Sequence, residues 1–243
     1  MWDWRGAGRT SDYVVNVGFT RRTNTNSENF FVSYNSEPKP EARIISWSVS
    51  NSLGSEFNWQ GRSQSWDDYS TVQLNLRRQT FFNLGFDLGY ERLFENEFGA
   101  SRSATRNGAF FGNDPERSAS RRSISGGAGT TPDKKYSAYA FFSRNWGAFD
   151  YDFGAGPRFA RVSPAALIDA NAAIDPGSGN SSDVGFSLTY QPVQSLRMSF
   201  SYTRSKLVRN DTGRIAFSDQ IYSLHSDYRF TRFLFMRGRL DYD

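Results

Sequence analysis

From residue 182 to residue 242 the polarity of the chain changes at almost every step. Val184, Phe186, Leu188 and Tyr190 alternate with Asp183, Gly185, Ser187 and Thr189. After Gln191-Pro192-Val193-Gln194, Leu196, Met198, Phe200 and Tyr202 resume the pattern against Arg197, Ser199, Ser201 and Thr203. A longer polar connector at 207–213 precedes Tyr222, Leu224 and Tyr228 against Ser223, His225 and Asp227. A short turn at 229–232 then leads to Leu234, Met236, Leu240 and Tyr242 against Phe235, Arg237, Arg239 and Asp241. Period two over such lengths marks strands with one apolar and one polar face. Strand, short turn, strand, longer loop is a meander.

The totals narrow the setting. A chain of 243 residues is long enough for one barrel or for one to two soluble domains. The hydrophobic share is 37%, low for a soluble β domain that must fill a core, while aromatics reach 16%. A membrane barrel reconciles the two, because only every second strand residue must be apolar and the inside stays wet. No apolar run approaches the roughly 18 to 20 residues of a spanning helix, so a helical membrane protein is excluded. Cysteine is absent, which removes disulfides and thiol-based metal or redox sites. The net charge of +4 is spread over loops and strands without a compact basic block, so nucleic acid is not expected as a partner. The expected fold is therefore all-β: an antiparallel up-and-down transmembrane β-barrel, present as an incomplete segment over residues 1–243. Its expected place is the bacterial outer membrane. Met1-Trp2-Asp3-Trp4-Arg5 does not read as an export signal, so a mature or truncated chain is expected.

About twelve strands are expected. The first spans 12–20, and the second, 29–34, has an ambiguous facing at Phe30-Phe31-Val32. Glu37-Pro38-Lys39-Pro40 must be a loop, since proline has no donor and restricts its predecessor. Ile45, Trp47 and Val49 mark a third strand ended by a turn at Asn51, Ser52 and Gly54; Phe57 and Trp59 mark a fourth, followed by a polar, turn-rich stretch at 61–68. Val72, Leu74 and Leu76 carry a fifth. Phe82, Leu84, Phe86, Leu88 and Tyr90 against Asn83, Gly85, Asp87, Gly89 and Glu91 make the clearest strand in the chain. Residues 93–133, rich in Ser, Arg and Gly, and residues about 160–182 are expected as long surface loops, the second with one helical turn at 164–168. Between them, 136–144 and 149–159 are expected to pair across Asn145-Trp146-Gly147. Short turns near 79–81, 145–148, 191–194 and 229–232 should lie on one side, in the periplasm, with the long connectors outside. On that phase the last strand runs outward, so at least one returning strand is expected beyond it.

The chemistry-bearing residues are few. His225 and Asp227 share a strand face, and the functional reading is half of an acid–base pair in a barrel hydrolase. The plainer reading is a solvated lumen histidine, because a nucleophile would have to come from elsewhere. Asp87, Glu91, Arg197, His225, Asp227, Arg237, Arg239 and Asp241 are expected to line the lumen. There, mixed charges either tune solute selectivity or cross-link strands. Arg102, Arg106, Arg117, Arg121 and Arg122 are expected either to hold lipopolysaccharide phosphates through forked hydrogen bonds or to lie in a solvated loop. Trp47, Trp59, Tyr90, Trp146, Tyr190, Tyr202, Tyr228 and Tyr242 suit interfacial girdles. No catalytic, cofactor or metal motif is apparent, and an enzyme is not expected.

The runs Tyr190-Gln191-Pro192-Val193-Gln194-Ser195-Leu196-Arg197 and Tyr228-Arg229-Phe230-Thr231-Arg232-Phe233-Leu234-Phe235-Met236-Arg237-Gly238-Arg239-Leu240-Asp241-Tyr242 resemble the barrel portion of a bacterial outer-membrane family of unknown function. In that family the barrel follows a module similar to family 9 carbohydrate-binding domains. The resemblance implies an export signal and a sugar-binding-like module before this barrel, and more strands after it. It supplies no catalytic residues. The resulting expectation is a non-enzymatic anchor or passage that contacts outer-membrane lipid and lipopolysaccharide, with a small solute or glycan as a further candidate partner. A barrel hydrolase and a soluble all-β carbohydrate-binding domain are the alternatives.

Overall fold

A computed structural model describes residues 1–13, 22–154 and 159–243. Among these, eleven strands form one antiparallel sheet in strict sequence order. They are β1 (Trp2–Arg9), β2 (Thr25–Asn35), β3 (Ile44–Phe57), β4 (Ser63–Leu76), β5 (Thr80–Phe94), β6 (Glu116–Thr130), β7 (Tyr136–Asp150), β8 (Gly177–Val193), β9 (Leu196–Arg209), β10 (Ile215–Arg229) and β11 (Phe235–Tyr242). The meander is as expected. The sheet is open, with β1 and β11 at its edges. Residues 14–21, on which most of the strand expected at 12–20 falls, lie outside the described residues.

The register keeps the two polarities apart. Tyr34, Val49, Val72 and Leu84 sit directly opposite one another across β2 to β5, as do Phe82, Ala128, Ala140, Phe186, Tyr202, Tyr222 and Tyr242 across β5 to β11. On the other face, Ser52, Tyr69, Asp87, Ser123, Asn145 and Ser181 form a polar row. Opposed residues of an antiparallel pair share a face, so a slip of one residue would scramble both sides. Phe30 and Val32 join the apolar face, and Phe31 the polar one.

Burial is the reverse of that in a soluble sheet. Leu88 is 55% exposed and Phe86 45%, whereas Gly85 and Gly89 opposite them on β5 are buried. The polar face is the more enclosed one on β5, while on β11 Arg237 and Arg239 stay exposed. Buried apolar residues, Leu93, Phe110, Ala119, Ala165, Leu207 and Ala216, all gather where the longer connectors emerge. Two of those connectors, 95–115 and 151–176, pack together there: Phe111 N–H donates to the Ile174 carbonyl at 2.8 Å. The helical turn α1 (Pro164–Ile168) forms in the second, with Pro164 at its start and the Ser163 hydroxyl accepting from Ala166 N–H at 3.0 Å. The connectors 77–79, 131–135, 194–195 and 230–234, with the proline loop 36–43, lie at the opposite end.

Several strands outrun the apolar alternation that announces them. The turn expected at Asn51, Ser52 and Gly54 does not form; β3 continues to Phe57, paired to β2 and β4 through this stretch, and a β-carbon at Gly54 would lie 2.9 Å from the Asp67 carboxylate. Trp59, expected on a strand, is in the 58–62 turn, and the polar stretch that follows belongs to β4. The later part of the loop expected over 93–133 is β6, Glu116–Thr130. Its glycines are not hinges: β-carbons at Gly126 and Gly129 would meet the rings of Phe142 and Phe81 at 2.6 and 2.4 Å. They make room for aromatic side chains of adjacent strands. Likewise Gly177-Ser178-Gly179-Asn180 opens β8 rather than a flexible loop.

The turn expected at 145–148 is also absent. β7 passes through it with a bulge between Trp146 and Ala148, so the short-turn side is served instead by 131–135. Gly147 has a φ of 76°, and a β-carbon there would lie 2.0 Å from the Ser120 carbonyl oxygen. Gly213 has a φ of 64° but faces open space. Gly213→Ala should therefore cost only the torsional strain, about 1–2 kcal/mol. Gly147→Ala should cost more and lower the urea midpoint further, as read by circular dichroism.

Candidate functional site

All eight residues expected to line the lumen project from the polar face, but in two separate groups. Asp87 and Glu91 lie on β5, where Arg121 of β6 approaches Glu91 at 3.5 Å. Arg197, His225, Asp227, Arg237, Arg239 and Asp241 lie together across β9, β10 and β11. Here Asp227 is opposite both Arg197 and Arg237 and accepts from Arg237 Nε at 2.7 Å. Arg239 donates to Asp241, whose other oxygen is 3.8 Å from His225 Nε2. Asp227 is thus engaged by an arginine. His225 Nε2 has no hydrogen-bond partner among the described residues.

The most constrained charges were not among those eight. Arg209 at the end of β9 is only 1% exposed, and its guanidinium donates to Asp150 at 2.9 Å, to Asp211 at 2.7 Å and to the Asp175 carbonyl at 3.0 Å. It ties β9 to the end of β7 and to the 151–176 connector. Arg161 grips the buried Asp152 at 2.6 Å. Arg22 bonds to Glu97 and lies 3.6 Å from Glu56. Phe98, Phe110, Tyr151 and Phe153 pack around these contacts, with Phe98 and Phe110 5.2 Å apart between ring centres. Together they cap the polar face. Beside the cap a cavity of about 320 Å³ is lined by Arg9, Arg22, Glu56, Asp67, Glu91 and Arg121, three acids facing three bases.

The arginines expected either to hold phosphate or to lie in a solvated loop are mostly engaged within the protein. Arg102 forks onto Glu95 at 2.8 and 2.9 Å, Arg106 donates to the Ser101 carbonyl at 2.8 Å, and Arg117 reaches Asp175 at 3.1 Å. Arg121 turns inward to Glu91. Arg122, one residue on, projects from the apolar face beside Trp146. Sequence shows arginines and acids interspersed; which of them meet depends on two connectors folding over the same end of the sheet.

The Glu95 carboxyl, held by the Arg102 fork and further by Arg102 and Phe110 N–H donors, is lowered from about 4.5 to about 2. A depressed carboxylate stabilises above its unfolded value and loses that contribution as pH falls. Cap docking should therefore be unchanged from pH 7 to 5 and weaken between about pH 4.5 and 2. Glu95→Gln should flatten that dependence, as followed by proteolytic protection of residues 98–112.

Among the described residues no group of three or more His, Cys, Asp or Glu is placed to hold a metal, and no helix is long and apolar enough to cross a membrane. No protein-family model and no curated protein matches the chain. The geometry alone therefore supports an enclosed, charge-balanced polar face beneath a pinned cap. Replacing Arg209 with Met would leave Asp150 and Asp211 facing each other without their cation. The expected loss is about 3–5 kcal/mol, read as a lower unfolding midpoint in urea.

Proposed function

We propose that this chain is a non-enzymatic segment of a transmembrane β-barrel in the bacterial outer membrane, serving as an anchor or a passage. The observation that carries this reading is the exposure of large apolar residues along one face of the sheet while the polar face of β4 to β9 is the more enclosed one. In water that arrangement would leave a continuous apolar surface unburied; against lipid it is the arrangement of lowest energy. β3 to β10 are 14 to 17 residues long, more than the roughly 9–11 a tilted spanning strand requires. Aromatic pairs support the reading too, with Tyr34 near Trp47 at 5.3 Å and Tyr136 stacked on Tyr190 at 5.0 Å, both toward the short-turn end. Asn51, Asp68 and Ser70 interrupt the apolar face, but Asn51 donates to both of the others, so the polar atoms satisfy one another.

The same reading requires β1 and β11 to be paired, with each other or with further strands, because an open edge in lipid costs several kcal/mol per unpaired backbone group. The resemblance to the carbohydrate-module-linked outer-membrane family points the same way and supplies a setting for an anchor. A passage would run along the polar face, where the cap and the 320 Å³ cavity would set what enters.

Dilution from urea into buffer and into detergent micelles tests the proposal. Sheet signal by circular dichroism only in micelles, with different gel mobility before and after boiling, is the expected result. Cooperative folding in plain buffer would overturn it in favour of a soluble binding domain. Phe86→Arg, midway along β5, should cost about 2–4 kcal/mol in a lipid bilayer and almost nothing in a soluble fold, measured by urea titration of the heat-sensitive band.

A further inference from the structure

The apolar face is not uniform along its length. Toward the long-connector end of β6 to β9 it carries Arg122, Arg144, Arg204 and Lys206. Arg144, Ser182 and Lys206 lie in one cross-strand row; Phe142, Val184 and Arg204 occupy the next. Lys206 is close to Arg209, where β9 ends, and Arg122 and Arg144 each lie 5.8 Å from the Trp146 ring. Arg144, Ser182, Arg204 and Lys206 line a shallow cleft of about 470 Å³.

These cations differ from those that pin the cap and join β10 to β11. Arg22, Arg102, Arg117, Arg161, Arg209 and Arg237 all meet carboxylates. None of Arg122, Arg144, Arg204 and Lys206 has an ion pair among the described residues. The register explains why. From β7 to β10 the apolar face carries no Asp or Glu, since Asp183, Asp219 and Asp227 all fall on the polar face. Four unpaired cations therefore border Val184, Phe142 and Phe186, with Ser182 and Asn180 as neutral donors between them.

We propose that this rim binds the phosphate headgroup of an anionic membrane lipid, with its acyl chains lying along Phe142, Val184 and Phe186. The inference rests on the membrane reading above and deepens it. Charge complementarity chooses the occupant: the cluster supplies cations without anions, an apolar strip begins immediately below, and an amphiphile is the ligand that satisfies both at once. A polyanion without acyl chains would satisfy the arginines and leave the strip bare.

The test uses the chain refolded in neutral micelles and native mass spectrometry to count bound phosphatidic acid. The variants are the triple Arg144→Gln, Arg204→Gln, Lys206→Gln and a charge-matched control, Lys39→Gln, Lys134→Gln, Lys135→Gln, from the opposite end. The triple variant should bind phosphatidic acid at least about ten-fold more weakly than the wild type, while the control and phosphatidylcholine binding stay unchanged. Millimolar inorganic phosphate should not displace the lipid. Equal loss in the control would overturn the site in favour of net charge, and full displacement by inorganic phosphate would overturn the lipid as occupant. If the triple variant lacks the heat-sensitive mobility of the wild type, the exposed Arg204→Gln alone provides the comparison, and unchanged binding there overturns the site. Folding of the wild type in plain buffer would instead overturn the membrane reading on which the site rests.

Discussion

Everything in this molecule depends on an unbroken antiparallel ladder whose register never lets the two polarities mix. Each strand from β2 to β10 is paired on both sides, so its backbone donors and acceptors are satisfied within the sheet. The side chains are then sorted by the pleat. Because opposed residues share a face, the sorting done by one strand is passed to the next, and rows such as Tyr34, Val49, Val72 and Leu84 accumulate. Among the described residues no second apolar layer packs against them. The sheet is held by its ladder and cross-strand pairs more than by a conventional core.

What core exists lies at one end and is as much ionic as apolar. Leu93, Phe110 and Leu207 are buried there beside Arg209 and Asp152, and each buried charge has a partner at hydrogen-bonding distance. Pairing is obligatory in such a place, since an uncompensated buried ion costs several kcal/mol. The consequence is positional precision. Arg209 reads the ends of β7 and β9 and the 151–176 connector at once, so the cap can sit in only one way over the polar face. Arg144, Arg204 and Lys206, on the apolar face of β7 and β9, have no such partners among the described residues.

Much of the ladder was legible where the apolar alternation was strong. Phe82 to Tyr90, Val184 to Tyr190 and Leu196 to Tyr202 all fall on strands, and the eight residues expected to line a lumen share one face of the sheet. The misses share a cause. β6 carries almost no large apolar residues, and its serines and glycines read as a loop; it is a strand because β5 and β7 both present edges that need a partner, and because its glycines admit the rings of Phe81 and Phe142. The glycine at 147 read as a turn but is a bulge, since β8 continues to pair on the far side of it. Local punctuation is overridden when both neighbours supply hydrogen bonds.

The sequence by itself determined the all-β class, the meander and the assignment of each strongly alternating residue to a face, because a period of two follows from backbone geometry and needs no knowledge of neighbours. Only the tertiary structure decided which charges meet. Arg102 and Glu95 are seven residues apart but Arg209 and Asp150 are 59 apart, and such distant pairs exist only once the strands are in register and the connectors have closed over their ends. The same folding step left Arg144, Arg204 and Lys206 on a face that carries no Asp or Glu from β7 to β10, with Arg122 beside them on β6, because Asp183 and Asp219 of the paired strands fall on the other face.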